Sequence, residues 1–516
     1  MTADPILSPS SIRRAALLSG GAFWRSRWRV LLPGLLLALL LRGVTVYLYT
    51  QPTGPDYGLH LLFARQVLET GTIPAFAENY QLGGATWPLL PGGPLIFGVM
   101  SAVSGAPVFD IVHIVTFFAL IECLGMFFLA RQVFRRDDAA LVAALLSAVL
   151  PLFVDMMTWA GYPNFIAITL LPACFALWLM TWEKPTVPRL ILLALALCGA
   201  AYIHHVSTLW LALSLLLFAL VSVALRPRES LRRLIPLGLL CAVIGLPVAL
   251  GAFRLITQQD AAAVLSDAER FDMTRVTWES WARIITPMGL MVLVGGAAAF
   301  LTDRRASFPA HLLYASYLAV SLLFMFGWLI GLKFNYTRAI YFLSMPIALG
   351  GAALILRMRP YLVRIAALAA LVFAIGMSAA VRGYEASKYF EIVTPDLIEA
   401  VNWLESFSDP DDVVVMGTLL GFQMPRLLDR PQLAALTPDL ISNVEVLPTA
   451  ADATAVMMGL DEMDAVLDRR EVRFVVVRAR TPDIPDPGRS RQVMNAHPRM
   501  RLVFRNADVF IYEVRP

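Results

Sequence analysis

Apolar runs of about 20 residues recur along the chain from residue 29 to about 381, separated by short polar connections. A run of this length can cross a bilayer as a helix. The pattern predicts about eleven transmembrane helices, at residues 29–49, 108–131, 137–154, 164–182, 188–203, 206–225, 233–253, 284–301, 308–331, 339–356 and 361–381. We therefore expect an α-helical polytopic membrane protein.

Two of the predicted connections carry helical patterns of their own. Residues 57–69 place apolar side chains at helical spacing with polar ones opposite, which favours a juxtamembrane helix in the interface. A second short helix, at about 94–104, is too short to span and is expected to be half-buried or re-entrant. The connection 254–283 should contain an interfacial helix anchored by Trp278 and Trp281.

The composition changes near residue 385 to that of a water-soluble domain. Residues 395–407 are patterned as an amphipathic helix, and 413–416 and 473–477 as buried strands of the parallel type. A closing hairpin is expected over 501–514. The predicted organisation is a cytoplasmic tail (1–28), a transmembrane domain (29–384) and a small extracytoplasmic α/β domain (385–516).

Charge fixes the expected orientation. Arginine and lysine cluster before the first span and in alternate later connections, and basic short loops stay in the cytoplasm. The N-terminus is therefore predicted inside and the C-terminal domain outside, in a bacterial or archaeal plasma membrane. The chain is 58% hydrophobic, so the bilayer is the expected partner. The net charge of +4 reflects the cytoplasmic loops, and no nucleic-acid partner is expected. All four cysteines fall inside predicted spans, so no disulfide is expected outside.

Asp56 follows the first predicted span and opens the first outer helix. A carboxylate there could act as general base toward an acceptor hydroxyl at the membrane surface. The alternative is a helix N-cap, a position that aspartate favours. His60 lies one turn later on the same face, where it would tune Asp56 or contact a phosphate, unless it is simply an interfacial histidine.

Two further places carry charge or imidazole at the outer ends of spans. His204 and His205 lie between the fifth and sixth spans, where paired histidines are costly unless they serve a cavity. Arg338 begins the tenth span and breaks the positive-inside trend, so it either binds an anion such as phosphate or extends to lipid headgroups. Lys333 and Tyr341 are its neighbouring candidates.

The turn between the third and fourth spans is rich in aromatic residues. Tyr162 and Asn164 could contact a sugar, as could Tyr80 in the first outer connection, although aromatic residues at such turns usually anchor a protein in the interface. Asp155 precedes the turn and is a candidate second acid should a metal bind. The chain has no nucleotide-binding motif, so an activated substrate would have to arrive in the membrane.

This layout resembles the GT-C superfamily of integral-membrane glycosyltransferases, and especially the catalytic subunit of oligosaccharyltransferase. Residues 56–71 look like the family's first acidic motif with its juxtamembrane helix, 160–168 like its second acidic turn, and Arg338 like the arginine that holds the lipid phosphate. The resemblance covers residues 25–385. It implies a GT-C-like transmembrane fold.

The second turn departs from the oligosaccharyltransferase pattern, which has an aspartate and a glutamate there for a divalent metal. Pro163 and Phe165 stand near those places, and only Asn164 remains beside Asp56. That pair is a poor metal site. The resemblance therefore implies a member that needs no metal or other cofactor and moves one sugar from a polyprenyl monophosphate.

The expected function is sugar transfer from a polyprenyl-phosphate donor to an envelope glycan, lipid or protein. On the resemblance, Asp56 is the base, Arg338 with His204 or His205 holds the phosphate, and the anomeric centre is inverted. One alternative is a transporter or flippase of lipid-linked sugars, which would need ionisable residues near the midplane of spans; Glu122 is the main one. Another is a catalytically silent scaffold of the same fold.

Overall fold

The computed structural model describes residues 31–43, 47–49, 51–73, 76–77, 82–86, 92–258, 275–332, 335–435, 446–479 and 486–516. Within these ranges, eight helical stretches are long and apolar enough to cross a membrane, or nine if one sharply bent pair counts as a single span. Three further apolar helices in these ranges are shorter: Leu31–Gly43, Gly92–Ser104 and Val187–Ile203. Each predicted span thus coincides with an apolar helix, and the predicted helical membrane fold is confirmed.

The membrane part of the chain is a succession of sixteen α-helices in the described ranges. They are α1 (Leu31–Gly43), α2 (Tyr57–Thr70), α3 (Gly92–Ser104), α4 (Phe118–Phe134), α5 (Asp137–Val149), α6 (Pro151–Thr158), α7 (Tyr162–Glu183), α8 (Val187–Ile203), α9 (His205–Leu225), α10 (Pro227–Gln258), α11 (Trp278–Ile284), α12 (Thr286–Leu301), α13 (Phe308–Met325), α14 (Tyr336–Ala339), α15 (Ser344–Arg357) and α16 (Tyr361–Tyr389). Short 3₁₀ segments at Ile111–Phe117, Gly327–Ile330 and Ile340–Leu343 adjoin α4, α13 and α15. A two-residue pair, β1 (Phe76–Ala77) and β2 (Ala85–Thr86), lies between α2 and α3.

The first outer connection contains both predicted short helices, α2 and α3. Gly71 ends α2 in the left-handed conformation at φ +66°, which a glycine adopts without strain. The first two turns of α2 are buried, from Tyr57 to Ala64, and only its end is exposed. This helix is therefore more deeply enclosed than a helix lying on the membrane surface, because α3 and a helix of the C-terminal region cover it.

The interfacial helix predicted near the two tryptophans is α11. It meets α12 at an angle of 90°. Thr277 caps it by accepting a hydrogen bond from the Ser280 N–H at 3.2 Å. Trp278 is exposed, whereas Trp281, one turn later, packs against the core.

A fully buried ion pair ties the first spans together. Arg42 of α1 donates to a Glu122 carboxylate oxygen of α4 at 3.0 Å and to the Ser147 carbonyl oxygen of α5 at 2.9 Å. The Ser147 hydroxyl donates to the same carboxylate. Glu122 thus takes part in a structural contact among three helices, and ionisable groups inside a membrane usually pair with one another in this way.

The C-terminal α/β unit (residues 391–516) is built on a five-stranded sheet. Its elements are α17 (Pro395–Phe407), β3 (Val413–Met416), α18 (Thr418–Leu427), β4 (Gln432–Ala434), α19 (Leu447–Met458), α20 (Met463–Arg469), β5 (Val472–Arg478), α21 (Pro487–Ala496), β6 (Met500–Arg505) and β7 (Val509–Val514). The strand order is β4-β3-β5-β7-β6, with β4, β3 and β5 parallel and the β6–β7 hairpin antiparallel.

Both faces of this sheet are covered. Val414 and Met416 join the core shared with the membrane part, whereas Val413 and Val415 belong to a second core under α19, α20 and α21. Continuous apolar strands are expected when neither face meets water. The strands, the hairpin and α17 lie where the sequence predicts them.

Candidate functional site

The loop that carries Asp56 packs directly on the turn between α6 and α7. We call residues 51–56 the Asp56 loop. Gly54 has φ +98°, and a Cβ added there would lie 2.3 Å from the carbonyl carbon of Trp159. Only glycine permits both this conformation and this approach. The Asp56 loop and the second turn, about a hundred residues apart in sequence, are thereby joined.

The Asp56 carboxylate is half-buried at the start of α2. It occupies the N-cap position, but its side chain accepts no capping hydrogen bond. Burial raises the pKa of Asp56 from 3.8 to about 6, and the positive charge of Arg338 opposes that rise. At neutral pH the group is mostly ionised and is a stronger base than an ordinary aspartate, as a general base requires.

Arg338 reaches the same place from α14, far along the chain. Its guanidinium is half-buried, with its central carbon 5.7 Å from the centre of the Trp159 ring. Its charge acts on Asp56, His204 and His205. Over the part of the chain that the structure describes, no carboxylate forms a salt bridge with Arg338. A half-buried cation without such a partner is suited to an anionic ligand.

A chain of hydrogen bonds fixes which atoms of Asn164 and His204 remain available. The Ser207 N–H donates to His204 Nδ1 at 3.3 Å, so the neutral ring carries its proton on Nε2. The Ser207 hydroxyl donates to Asn164 Oδ1 at 3.0 Å. Asn164 Nδ2 has no partner among the described residues. Both side chains therefore offer donors, and the His205 ring lies 4.9 Å from that of His204.

His60 and Tyr162 are buried in the same region, each with a polar atom that no described residue satisfies. These atoms are His60 Nδ1 and the Tyr162 hydroxyl. Burial lowers the pKa of His60 to about 4, so its ring is neutral at physiological pH. The Tyr162 ring meets Phe97 of α3 edge-on at 6.4 Å. Buried polar atoms without partners mark places where a ligand or water can bind.

Tyr341 and Asp155 are occupied by a network beside Arg338. The Tyr341 hydroxyl donates to Asp155 and accepts from Trp159 Nε1 at 3.2 Å. Arg283 lies 3.5 Å from the other Asp155 oxygen. The network holds the Trp159 ring against which Arg338 lies, so it fixes one wall of the site.

Two predicted residues, Tyr80 and Lys333, lie outside the described residues. Sequence reasoning missed three others that contact the site or its loop: Ser207, Gln423 and Arg426. Ser207 had a local signal, since a serine three residues after a helix start commonly bonds back to the cap. Gln423 and Arg426 had none, because they reach the site only through the docking of the C-terminal α/β unit.

The donor set at the site differs from what a divalent cation requires. Among the described residues, no group of three or more His, Cys, Asp or Glu side chains is placed to hold a metal. Asp56 offers one carboxylate and Asn164 presents its amide nitrogen, while Asp155 is engaged by Tyr341 and Arg283. Hard cations prefer several oxygen ligands, so these residues do not fit one.

Comparison with known proteins gives one family match and several structural ones. A family model for dolichyl-phosphate-mannose-protein mannosyltransferases matches residues 88–250. The Archaeoglobus fulgidus oligosaccharyltransferase AglB, in complex with an inhibitory peptide and a dolichol-phosphate, superposes with a TM-score of 0.61 at 13% identity, covering 88% of this chain and 69% of that one. No protein of curated function matches in sequence.

Two further solved structures share the fold. ArnT from Cupriavidus metallidurans, bound to undecaprenyl phosphate, superposes with a TM-score of 0.61 at 13% identity over 94% of this chain and 98% of that one. The mycobacterial arabinofuranosyltransferase AftD gives 0.57 at 15% identity, over 95% of this chain and 42% of the larger enzyme. The resemblance expected from the sequence is confirmed: the chain is an integral-membrane protein with the fold of the GT-C glycosyltransferases.

Proposed function

We propose that this protein transfers a single sugar from a polyprenyl-phosphate donor to an envelope glycan, lipid or protein, with Asp56 as general base. The observation that carries the proposal is that the Asp56 loop and Arg338 both lie against Trp159, in a GT-C fold, so that the charge of Arg338 acts on Asp56. One group can take a proton and the other can hold a phosphate. AglB and ArnT, which share the fold, have been solved with polyprenyl phosphates bound.

The donor phosphate is proposed to bind Arg338 together with Asn164 and His204. The hydrogen-bond chain through Ser207 turns Asn164 Nδ2 and His204 Nε2 into donors, which complement phosphate oxygens. A guanidinium adds two parallel charge-assisted bonds. His60 and Tyr162, whose buried polar atoms lack described partners, are proposed to contact the sugar.

The proposed step is one direct displacement. The acceptor hydroxyl oxygen bonds to the anomeric carbon as the bond from that carbon to the phosphate oxygen breaks, and Asp56 takes the hydroxyl proton. Polyprenyl phosphate leaves with one more negative charge, which Arg338 stabilises as it develops. Attack opposite the leaving group inverts the anomeric configuration.

No metal enters this mechanism. Among the described residues of the site, the Asp56 carboxylate forms no hydrogen bond or salt bridge, whereas the Asp155 carboxylate is paired with Arg283 and Tyr341. Arg338 instead neutralises the negative charge of the leaving phosphate that a divalent cation would otherwise neutralise. We therefore propose that transfer is insensitive to chelators.

The proposed orientation follows the distribution of basic residues, with the N-terminus in the cytoplasm and the C-terminal α/β unit outside. The site then faces the outer leaflet. The rival function, movement of lipid-linked sugars across the membrane, finds little support, since Glu122 is locked in a buried pair with Arg42.

The test uses purified protein in liposomes with a panel of radiolabelled polyprenyl-phosphate sugars, chelator present. Sugar incorporation into an acceptor extract and movement of donor between leaflets are measured on the same samples. Incorporation without donor movement supports the transferase. Donor movement without incorporation would replace it with the flippase function. Donor binding with neither activity would favour the silent scaffold.

A further inference from the structure

Two side chains of the C-terminal α/β unit bond to the backbone and side chains around Asp56. Gln423 of α18 is fully buried, and its Nε2 donates to the carbonyl oxygens of Pro55 at 2.6 Å and Gly54 at 3.1 Å. Pro55 is the residue directly before Asp56. The glutamine therefore holds the peptide from which the carboxylate projects.

Arg426, one turn later on α18, secures both ends of the same segment. Its Nη2 donates to Gln51 Oε1 at 3.1 Å and to the Tyr57 hydroxyl at 2.7 Å, while its Nε donates to Gln423 Oε1 at 3.0 Å. Its guanidinium also lies over the rings of Tyr57 and Phe109, at 4.8 and 5.3 Å. The Gln423 amide is thus oriented by Arg426 so that its nitrogen must face the Asp56 loop.

Burying this arginine is expensive. Arg426 is only 9% exposed, and over the described residues no carboxylate forms a salt bridge with it. Its partners are neutral acceptors and ring faces. A cation kept in such surroundings without a counter-ion costs stability, so stability alone does not explain its place.

The Asp56 loop is consequently held on two sides. On one side Gly54 lies against Trp159, and on the other α18 bonds to Gly54 and Pro55. The Gly54 N–H also donates to the Phe390 carbonyl oxygen at 2.8 Å, where the C-terminal α/β unit begins. Asp56 itself has no capping bond to fix it. Its position depends on the peptides around it.

We infer that Gln423 and Arg426 are positioning residues, and that the C-terminal α/β unit serves the reaction by holding the Asp56 loop at the distance from Arg338 that transfer requires. The inference rests on the proposed function of Asp56. A general base must stand within hydrogen-bond reach of the proton that it removes. A displacement of about 1 Å can lower a rate by about a hundredfold.

The test compares Gln423→Leu with Gln432→Leu. Gln432 is equally buried in the same unit, and among the described residues its amide donates to the Leu428 carbonyl oxygen and to none of the Asp56 loop. Gln432→Leu therefore removes the same amide without changing a described contact of that loop. Steady-state transfer, donor binding and hydrogen exchange of residues 53–60 are measured for both. We expect Gln423→Leu to lower kcat by about 10- to 100-fold with the donor Kd within about threefold of wild type, and to speed exchange in the loop.

Equal kcat and equal exchange in the two variants would overturn the inference. Should Gln423→Leu fail to accumulate, Arg426→Lys carries the test against Arg430→Lys. Lysine keeps the charge but loses the planar fork of the guanidinium. The bonds of Arg430 to described residues stay within its own unit, at Ser408, Glu405 and Asp429. A wild type that transfers from no donor refutes the proposed function. Hydrogen exchange of the Asp56 loop equal to that of the control variant refutes the positioning role of Gln423 and Arg426 separately.

Discussion

Transfer should weaken as the pH falls through about 6, because Asp56 must be ionised to accept a proton. Burial raises the pKa of Asp56 to about 6. Such a carboxyl is about 91% ionised at pH 7 and about 9% at pH 5, whereas an aspartate of ordinary pKa near 3.9 is still about 93% ionised at pH 5. The value of kcat/KM should therefore drop about tenfold between pH 7 and pH 5, instead of by less than a tenth.

The assay is initial-rate transfer at low donor concentration from about pH 4.5 to 8, since kcat/KM reports groups of the free enzyme. The donor is a phosphodiester with no proton to lose in this range. His60 is neutral across most of it, because burial lowers its pKa to about 4. The acid limb can therefore be assigned to Asp56.

Arg338 supplies the matched control. Its charge lowers the pKa of Asp56, so Arg338→Gln should move the acid limb to higher pH, whereas Arg338→Lys should leave it near the wild-type position. Overall rates will fall in both variants, and only the midpoint is compared. A wild-type limb below about pH 5, or the same midpoint in Arg338→Gln, would refute the assignment.

Three further results are expected. Because the pKa of Asp56 is raised on folding, protonation of Asp56 stabilises the folded state fully below about pH 3.9, and this stabilisation is lost as the pH rises through about 6. Asp56→Asn should therefore be more stable than wild type at pH 8, by at most about 3 kcal/mol. Thermal unfolding of both proteins at pH 8 and pH 4.5 checks this. Gly54→Ala should lose transfer, because its Cβ would meet the Trp159 backbone at 2.3 Å; normal kcat would show that the loop can move aside. Glu122→Gln should cost about 3–5 kcal/mol by breaking the pair with Arg42, whereas replacing both residues by apolar ones should cost far less in detergent melting curves.

The membrane helices could be predicted because a bilayer leaves one solution for a long apolar run. Asp56 and Arg338 could also be found, since each is an ionisable group at the outer end of an apolar run, where charge requires a reason. Their meeting is implied only by the family resemblance, because local pattern does not report how α14 packs against the turn after α6. Glu122 is the reverse case: an ionisable residue inside a span, which by sequence alone is a candidate transport site, forms a buried ion pair with Arg42.

The residues that the sequence did not reveal act through tertiary contacts. Ser207 decides which atoms Asn164 and His204 present; its place after the helix start indicates the bond to His204, but nothing in the local sequence indicates the bond to Asn164. Gln423 and Arg426 are nearly 370 positions from the loop that they hold. Local pattern reports which elements form, whereas these contacts arise only once the C-terminal α/β unit docks on α2.

The most direct test of the account is sugar transfer by purified wild type and Asp56→Asn, with chelator present and donor binding measured on the same samples. Asparagine keeps the size of the side chain and removes the base. We predict transfer by the wild type, a loss of about a hundredfold or more in the variant, and unchanged donor binding. Transfer by Asp56→Asn within tenfold of wild type would contradict the account, because another group would then have to accept the proton.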